Sequence, residues 1–431
     1  MSDLKIGQKI ELSDGSYVNV VKKLGEGSQG AVYSVKSISG EMYALKWYIS
    51  QDIINNQDFY RNLENNIRLG SPAPSFIWPL KLAIRQLGSY GYIMKLRPQN
   101  YYEFGNFLLA KVSFKSFTAM LSAAMKICNG FMMLHRFGYS YQDLNDGNFF
   151  IDPQTGDVLI CDNDNVMPQG EKSGIMGKAR YMAPEIVAGG IPDKYSDRFS
   201  LSVILFMLFY ANHPFEGAKV VACPCMTESF EKKFYGSEAL FIYNPNDKSN
   251  LPVRGIHQNV IKRWPVFPKL LRDTFIDEFS QEKLKNPSQR MIEQNWEKII
   301  SVIRDSLVVC NHCKEETFVT ISNTKDKCMN CNKEVDLSKR LVMLNRSLPL
   351  TNKTPIYIDN DNTPDGIVTV DNNGFLLIKN VSTETWTVET PSGKVKTVAP
   401  QEILPVKEGL KITFRVHAAP HKAEIKFMSN N

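Results

Sequence analysis

Three side chains stand at spacings suited to handling a phosphoryl group. In Tyr141-Gln142-Asp143-Leu144-Asn145-Asp146-Gly147-Asn148, Asp143 is placed to face an attacking hydroxyl, and Asn148 follows it; Cys161-Asp162-Asn163 comes next. Phosphoryl transfer needs little covalent help from a protein and much positioning and charge neutralisation. A base at Asp143, with Asn148 and Asp162 holding Mg²⁺ (or Mn²⁺) on the phosphates of ATP, would supply the centre of that chemistry. Upstream, the run from Leu24 to Val32 reads GxGxxGxV, and Gly25, Glu26, Gly27, Ser28 and Gly30 are the residues expected to cover the phosphates. Glycines let backbone amides approach them closely.

The elements that must position these groups are written in the same stretches. The glycine run lies between β-rich segments, Tyr17–Lys23 and Val32–Lys36, so a hairpin is predicted there. A dinucleotide-binding fold would place its glycines between a strand and a helix, and is disfavoured. Tyr43-Ala44-Leu45-Lys46 is a third strand whose inward lysine suits the α/β-phosphates. Lys46 needs an acidic partner, and Glu64, in the helical run Phe59–Leu69, is the candidate, since an ion pair would hold the long side chain in one rotamer. The competing role for Glu64 is a solvated helix carboxylate. Gly177-Lys178-Ala179-Arg180-Tyr181-Met182-Ala183-Pro184-Glu185 and Asp197-Arg198-Phe199-Ser200 then follow in order.

With these motifs the chain resembles the eukaryotic-like Ser/Thr protein kinases from Tyr17 to Arg304. The resemblance implies an α+β bilobal protein-kinase fold over residues 1–306, with an N-lobe over 1–96 and a C-lobe over 97–306. It implies that Val32 and Ala44 sandwich adenine, that Met94 is the gatekeeper, and that Lys95–Arg97, with Leu96 at its centre, form the hinge. Asp197 would brace the catalytic loop, and Glu185 would pair with Arg290. The stretch from Tyr141 to Val166 is similar to a bacterial subgroup, some members of which are linked to a von Willebrand A protein and a metal-dependent protein phosphatase. Those two partners, and a protein substrate of unknown identity, are what that likeness implies.

Four departures from the family pattern bear on activity and control. Tyr141 and Gln142 replace a histidine and an arginine, so no arginine stands there to grip an activation-loop phosphate; Ser173 and Tyr181 are the only hydroxyls between Asp162 and Glu185. Loop phosphorylation is therefore not expected to be the master switch. Asn145 replaces a lysine or arginine, and Asp162-Asn163-Asp164 puts a polar residue where an apolar one usually packs. Lys178 stands where a threonine is expected, and either supplies the ammonium that Asn145 cannot or simply faces solvent. Three function classes follow. One is an ATP- and Mg²⁺-dependent kinase of protein Ser/Thr hydroxyls, autophosphorylation included. The second is a nucleotide-binding pseudokinase scaffold, for which Asn145 and Asn163 speak. The third is a kinase of small molecules, against which the Glu185 segment and Arg290 speak.

At 431 residues with 43% hydrophobic content, the chain has room for two or three domains and a sizeable core. Its net charge of +6 is modest, and without a compact Lys/Arg block nucleic acid is not an expected partner. Met1-Ser2-Asp3-Leu4-Lys5 starts polar, and the most apolar run, Leu201–Tyr210, is too short to cross a bilayer. A cytoplasmic protein with no membrane partner is expected.

A second module begins beyond residue 306. Cys310 and Cys313, then Cys328 and Cys331, form two CxxC pairs across a short polar loop, the spacing of a four-thiolate Zn²⁺ ribbon over 307–345. A disulfide or redox role is the weaker alternative in a chain with no signal pattern, and His312 is a lesser ligand candidate than the four thiolates. So small a ribbon would take most of its folding energy from the metal. Short β runs then recur at Gly366–Val370, Phe375–Asn380, Thr385–Thr390, Lys394–Val398, Leu410–Arg415 and Ala423–Phe427, predicting a small β-sandwich over 352–431. It is similar to the second half of a forkhead-associated domain, in degenerate form, lacking the arginine and Ser-x-x-His that grip phosphothreonine. Within the C-lobe, the long connection between Pro214 and Pro268 is predicted to pack on the lobe, and Cys128 and Cys161 to sit in the core.

Overall fold

The computed structural model describes residues 3–171, 177–359, 363–416 and 419–429. Ser173, singled out as a loop hydroxyl, lies outside them. The N-terminal lobe is an antiparallel sheet of β1 (Lys9–Glu11), β2 (Tyr17–Glu26), β3 (Gly30–Ser37), β4 (Met42–Tyr48), β5 (Lys81–Gln86) and β6 (Ser89–Lys95), in the order β1-β2-β3-β4-β6-β5. The glycine run forms the β2–β3 hairpin, as expected, with Gly25 opposite Val32. Period-2 alternation gives the sheet two apolar faces. Val18, Val20, Tyr33, Val35, Leu45 and Trp47 cluster on one, while Ala44, Tyr48, Tyr90, Tyr92 and Met94 pack with the short helix α1 (Gln51–Asn55) and with α2 (Gln57–Leu69). Asn56 caps α2 by accepting from the Asp58 and Phe59 amides, and Gly70, at φ +79°, ends it. Gly91 is required where β6 meets β4: a Cβ there would lie 2.1 Å from the Lys46 carbonyl.

The C-terminal lobe is built on helices Phe117–Arg136, Lys194–Tyr210, Lys269–Glu278 and Glu293–Asp305. Lys194–Tyr210 starts with a capping box at Asp193 and is buried from Phe199 to Tyr210. Its Phe206 and Phe209 meet Phe275 edge-on, and Phe275 in turn meets Trp296. Each such fully buried side chain contributes on the order of 1.5–3 kcal/mol. Helix Phe117–Arg136 is long and apolar enough to cross a membrane by length and composition, but 67% of its most apolar window is buried inside the protein. The Pro214–Pro268 connection packs on the lobe as predicted, with Phe241 and Ile242 buried and Tyr243 stacked on Trp264 at 4.1 Å. A hairpin of Phe149–Ile151 and Val158–Ile160 brings Asn148 and Asp162 to its two open ends.

Beyond helix Glu293–Asp305 come two small hairpins, Leu307–Val309 with Glu316–Phe318 and Lys325–Lys327 with Glu334–Asp336. The β-sandwich follows. Its larger sheet runs Arg346–Pro349, Lys339–Met343, Ala419–Phe427, Lys411–Val416, Trp386–Glu389, Val395–Val398; its smaller runs Pro355–Ile356, Gly366–Val370, Leu376–Asn380, Ile403–Pro405. Trp386, Phe414, Ile378 and Val368 fill the space between them. The sandwich therefore starts earlier than its sequence boundary at 352, and the ribbon ends before 345, because Lys339–Met343 pairs along its length with Ala423–Phe427.

This second module is docked on the first. Arg346 forms a bidentate pair with Asp305, at 2.6 and 2.7 Å, and also donates to the Tyr357 and Ile358 carbonyls. Arg304 lies 3.9 Å above the Tyr357 ring. Phe318 of the first hairpin contacts Phe117 and Phe267. Glu316 accepts from the Phe117 and Thr118 amides and the Thr118 hydroxyl, at the N-terminus of helix Phe117–Arg136.

Candidate active site

A cleft of about 730 Å³ opens between the two lobes, lined by Gly25, Glu26, Val32, Ala44, Met94, Leu96 and, on the opposite wall, Asp162. Cys161 lines it too, half-buried against the Ala44, Tyr92 and Met94 cluster, so it packs on the core and also faces the cleft. Gly27, Ser28 and Gly30 sit at the hairpin tip above, where the Gly27 amide donates to the Gly30 carbonyl. Gly25 and Gly27 face open space where a Cβ would stand, a bare backbone ledge of the kind phosphates require. The wall opposite carries the Asp162 carboxylate, and the hairpin's other end carries the Asn148 amide oxygen, donors that suit a hard cation such as Mg²⁺. The residues present fit ATP and Mg²⁺.

Asp143 stands on a loop clamped from behind. Asp197 accepts from the Tyr141 amide at 2.6 Å and the Gln142 amide at 3.3 Å, bracing the loop as expected. Gln142 takes φ +68°, a left-handed conformation that a side chain adopts only when its surroundings impose it. Its amide nitrogen donates to the Glu171 carbonyl at 2.6 Å. Burial pushes the Asp143 carboxyl up to about 6, Asn145 opposing by donating to it and the negative Asp162 adding to the rise. A carboxylate poised there is a competent proton acceptor near neutral pH. Asn145 donates to Asp143 Oδ1 at 3.2 Å, and its own Oδ1 accepts from Lys178 Nζ at 3.2 Å. The lysine from the later segment thus reaches the amide that stands where the family carries a cation. Asn148 is buried, its Oδ1 accepting the Asn145 amide at 3.2 Å.

Lys46 is where expected on β4, but its partner is not. Nζ lies 2.8 Å from Asp164 Oδ2 and 3.4 Å from Asp162 Oδ1. Burial alone would lower its pKa; the two carboxylates more than reverse that and raise it. Glu64 is exposed on α2 and makes no pair with Lys46, which corrects its assignment. The buried stripe of α2 is Phe59, Asn62, Leu63 and Asn66, a helical i, i+3, i+4, i+7 pattern that leaves position 64 outside. Asn62 and Asn66 donate to the Val166 carbonyl at 2.8 and 3.0 Å. Asn163, the polar residue at an apolar position, donates to the Ile77 and Ile160 carbonyls at 2.8 and 2.9 Å. Sequence reasoning missed Asp164, Asn62 and Asn66; the helical stripe was the available signal for the two asparagines. Further down, Arg290 grips Glu185 with both nitrogens, at 2.6 and 2.7 Å, as expected.

The four cysteines Cys310, Cys313, Cys328 and Cys331 have their sulfurs all within 4.8 Å of one another. Cys310 to Cys331 is 3.8 Å and Cys313 to Cys328 is 3.7 Å. A tetrahedron with metal–sulfur bonds of about 2.3 Å has edges of roughly 3.8 Å. The two turns are built alike: the His312 and Asn330 amides donate to Cys310 and Cys328 sulfurs, both at 3.4 Å, and Lys314 and Asn332 both take positive φ. Four sulfurs in that arrangement fit Zn²⁺.

Residues 18–305 match the family model of the protein kinase domain. The chain is 24% identical to ribosomal protein S6 kinase alpha-2 of Homo sapiens over 282 residues, covering 61% of this chain and 37% of that protein. It is 26% identical to the serine/threonine-protein kinase gad8 of Schizosaccharomyces pombe over 201 residues, covering 46% and 35%. It is 30% identical to the serine/threonine-protein kinase AtPK2/AtPK19 of Arabidopsis thaliana over 211 residues, covering 46% and 42%. The chain spans less than half the length of each of these relatives.

Proposed function

This chain belongs to the protein kinase domain family, and from that premise we propose that it is an ATP- and Mg²⁺-dependent kinase of Ser/Thr hydroxyls on proteins. One observation carries the proposal: Asp162, on the wall of the interlobe cleft, pairs with Lys46 and adds to the burial that holds Asp143, the proton acceptor, up to about 6, while Asn145 joins Asp143 to Asn148. Val32 and Ala44 take the adenine, Leu96 and its neighbours the hinge side, and Lys46 the phosphates. Asn148 and Asp162 would hold Mg²⁺, which when bound neutralises charge developing on the transferring group. Asp143 orients the acceptor hydroxyl and takes its proton as the hydroxyl oxygen bonds the γ-phosphorus and the bond to the ADP oxygen breaks. Lys178, held against Asn145 beside Asp143, supplies the positive charge that stabilises the passing phosphoryl.

Against the scaffold alternative stand the carbonyl partners of Asn163 Nδ2 in the core and the lysine that Asn145 holds. Incubating the purified chain with labelled ATP, Mg²⁺ or Mn²⁺ and a generic protein substrate tests the activity. Nucleotide binding with no label transferred to any protein, itself included, would return it to the scaffold class.

The four-cysteine group supports one structural Zn²⁺ per chain. Metal analysis of the purified protein should find it, and zinc retained after joint loss of Cys328 and Cys331 would refute the ligand set. A von Willebrand A protein and a metal-dependent phosphatase are the proposed partners, in the cytoplasm, with the sandwich as the interaction domain; co-purification from the native cell tests this.

A further inference from the structure

We propose that Asp164 is the residue that positions Lys46 for the nucleotide phosphates, so that the anchor of this lysine sits on the metal-binding loop and not on helix α2. The inference rests on the cleft being a nucleotide site. Asp164 is fully buried, with Oδ1 3.1 Å and Oδ2 2.8 Å from Lys46 Nζ, a two-oxygen grip on one ammonium. Its orientation is fixed independently, because the Tyr48 hydroxyl donates to Oδ2 at 2.6 Å. Tyr48 and Lys46 lie on the same face of β4, two residues apart, so strand and carboxylate hold one another in register. The other acid near Lys46, Asp162, is farther away and half exposed, and it is the one needed for the metal.

Helix α2 cannot offer a substitute from its inward stripe. Asn62 and Asn66 face the loop and both donate to the Val166 carbonyl; a carboxylate at either place has no proton to give and would point its charge at a carbonyl oxygen. Helix α2 is thereby tied to the segment that carries Asp162 and Asp164. The Lys46 pair itself contains no atom of α2, which touches it through Phe59 against Tyr48, whereas the loop carries both the lysine anchor and the proposed metal ligand.

Double-mutant cycles on the full chain test this, using Lys46→Met, Asp164→Asn and Glu64→Gln, with affinity read by titrating a fluorescent ATP analogue with Mg²⁺. Asp164→Asn should weaken binding at least about tenfold in the wild-type background, as expected for removing one member of a buried charge pair, and should add almost nothing once Lys46 is Met. Glu64→Gln should leave affinity unchanged. Equal losses from Asp164→Asn with and without Lys46 would show a merely structural role and overturn the proposal, as would a loss from Glu64→Gln that vanishes in Lys46→Met. If Asp164→Asn does not fold, Tyr48→Phe decides: a weakening that disappears in Lys46→Met supports the proposal, and none overturns it. Thermal midpoints of the same cycle, without nucleotide, separate the two premises. Non-additive midpoints for positions 46 and 164 in a protein that binds no nucleotide would sink the cleft assignment and keep the pair; additive midpoints would sink the pair.

Discussion

In the proposed reaction Asp143 faces the acceptor hydroxyl and not the nucleotide, so its loss should separate chemistry from binding. Asp143→Asn should cost at least about a hundredfold in phosphate transfer and leave nucleotide affinity unchanged; turnover retained at that affinity would assign the proton to another group. Lys178 donates to Asn145, and if it acts through its charge as proposed, Lys178→Met should lower turnover about tenfold with little change in the Michaelis constant for ATP. Equal rates would return Lys178 to solvent. A third residue reports on stability. His135 is sandwiched between Asp197 at 3.1 Å and Glu293 at 2.9 Å. Burial opposes its charge, but the two carboxylates prevail and raise it from 6.5 to about 9. A raised folded pKa gives stability that is complete below the unfolded value and lost as pH climbs through the folded one. Glu293 is the opposite case: burial would raise it, yet His135 and Arg198 bring it from 4.5 down to about 2, so its share is present above 4.5 and lost as acid approaches 2. The share of stability that these two groups supply should therefore be constant between 4.5 and 6.5 and shrink toward 9, and His135→Gln should flatten the alkaline limb of the thermal midpoints. Asp143, Asn148 and Asp162 were legible as a set because they stand in the order of the kinase motifs, and the Phe149–Ile151/Val158–Ile160 hairpin brings the last two to neighbouring ends. Lys46's partner was not, because choosing it meant knowing which face of α2 turns inward and that Asp164, two residues past Asp162, turns toward β4.

At the scale of elements, the N-terminus of helix Phe117–Arg136 is completed from outside. Its first amides are covered by the Ser116 hydroxyl and by Glu316 of the cysteine hairpins, a carboxylate at the positive end of the helix dipole. Glu316→Ala should destabilise the chain by about 1 kcal/mol in denaturant melts. If the four cysteines hold Zn²⁺ as proposed, its chelation should unfold the hairpins and cost at least as much, and a melt indifferent to both would detach the hairpins from the lobe's stability. Strand positions were largely visible in alternating β runs bounded by turn residues, Gly366–Val370 among them. The pair Lys339–Met343 and Arg346–Pro349 was not, since its turn at Leu344-Asn345 carries no glycine or proline and its main partner lies at the far end of the chain.

At the scale of the molecule, the Asp305–Arg346 pair and the Arg304–Tyr357 contact fasten the sandwich to the C-lobe's last helix, away from the cleft. Such docking leaves room for control through a partner of the sandwich, while Gln142, bonded to the Glu171 carbonyl, replaces the arginine that would read a phosphate. Ser173→Ala should therefore keep the rate within about tenfold, roughly 1.4 kcal/mol of barrier; a larger loss would establish a loop switch. The kinase domain was legible from its ordered motifs. The docking was not, because its contacts join residues such as Thr118 and Glu316, 198 positions apart, which no local pattern connects.

That separation has a temporal side. A ribosome delivers the chain from its N-terminus, and Phe117 emerges long before the carboxylate that covers its amide. Until residue 316 is made and the cysteine turns beside it close, the helix at the centre of the C-lobe must hold its first turn with Ser116 and water, so the catalytic domain reaches its final form only after a segment it does not contain has been synthesised.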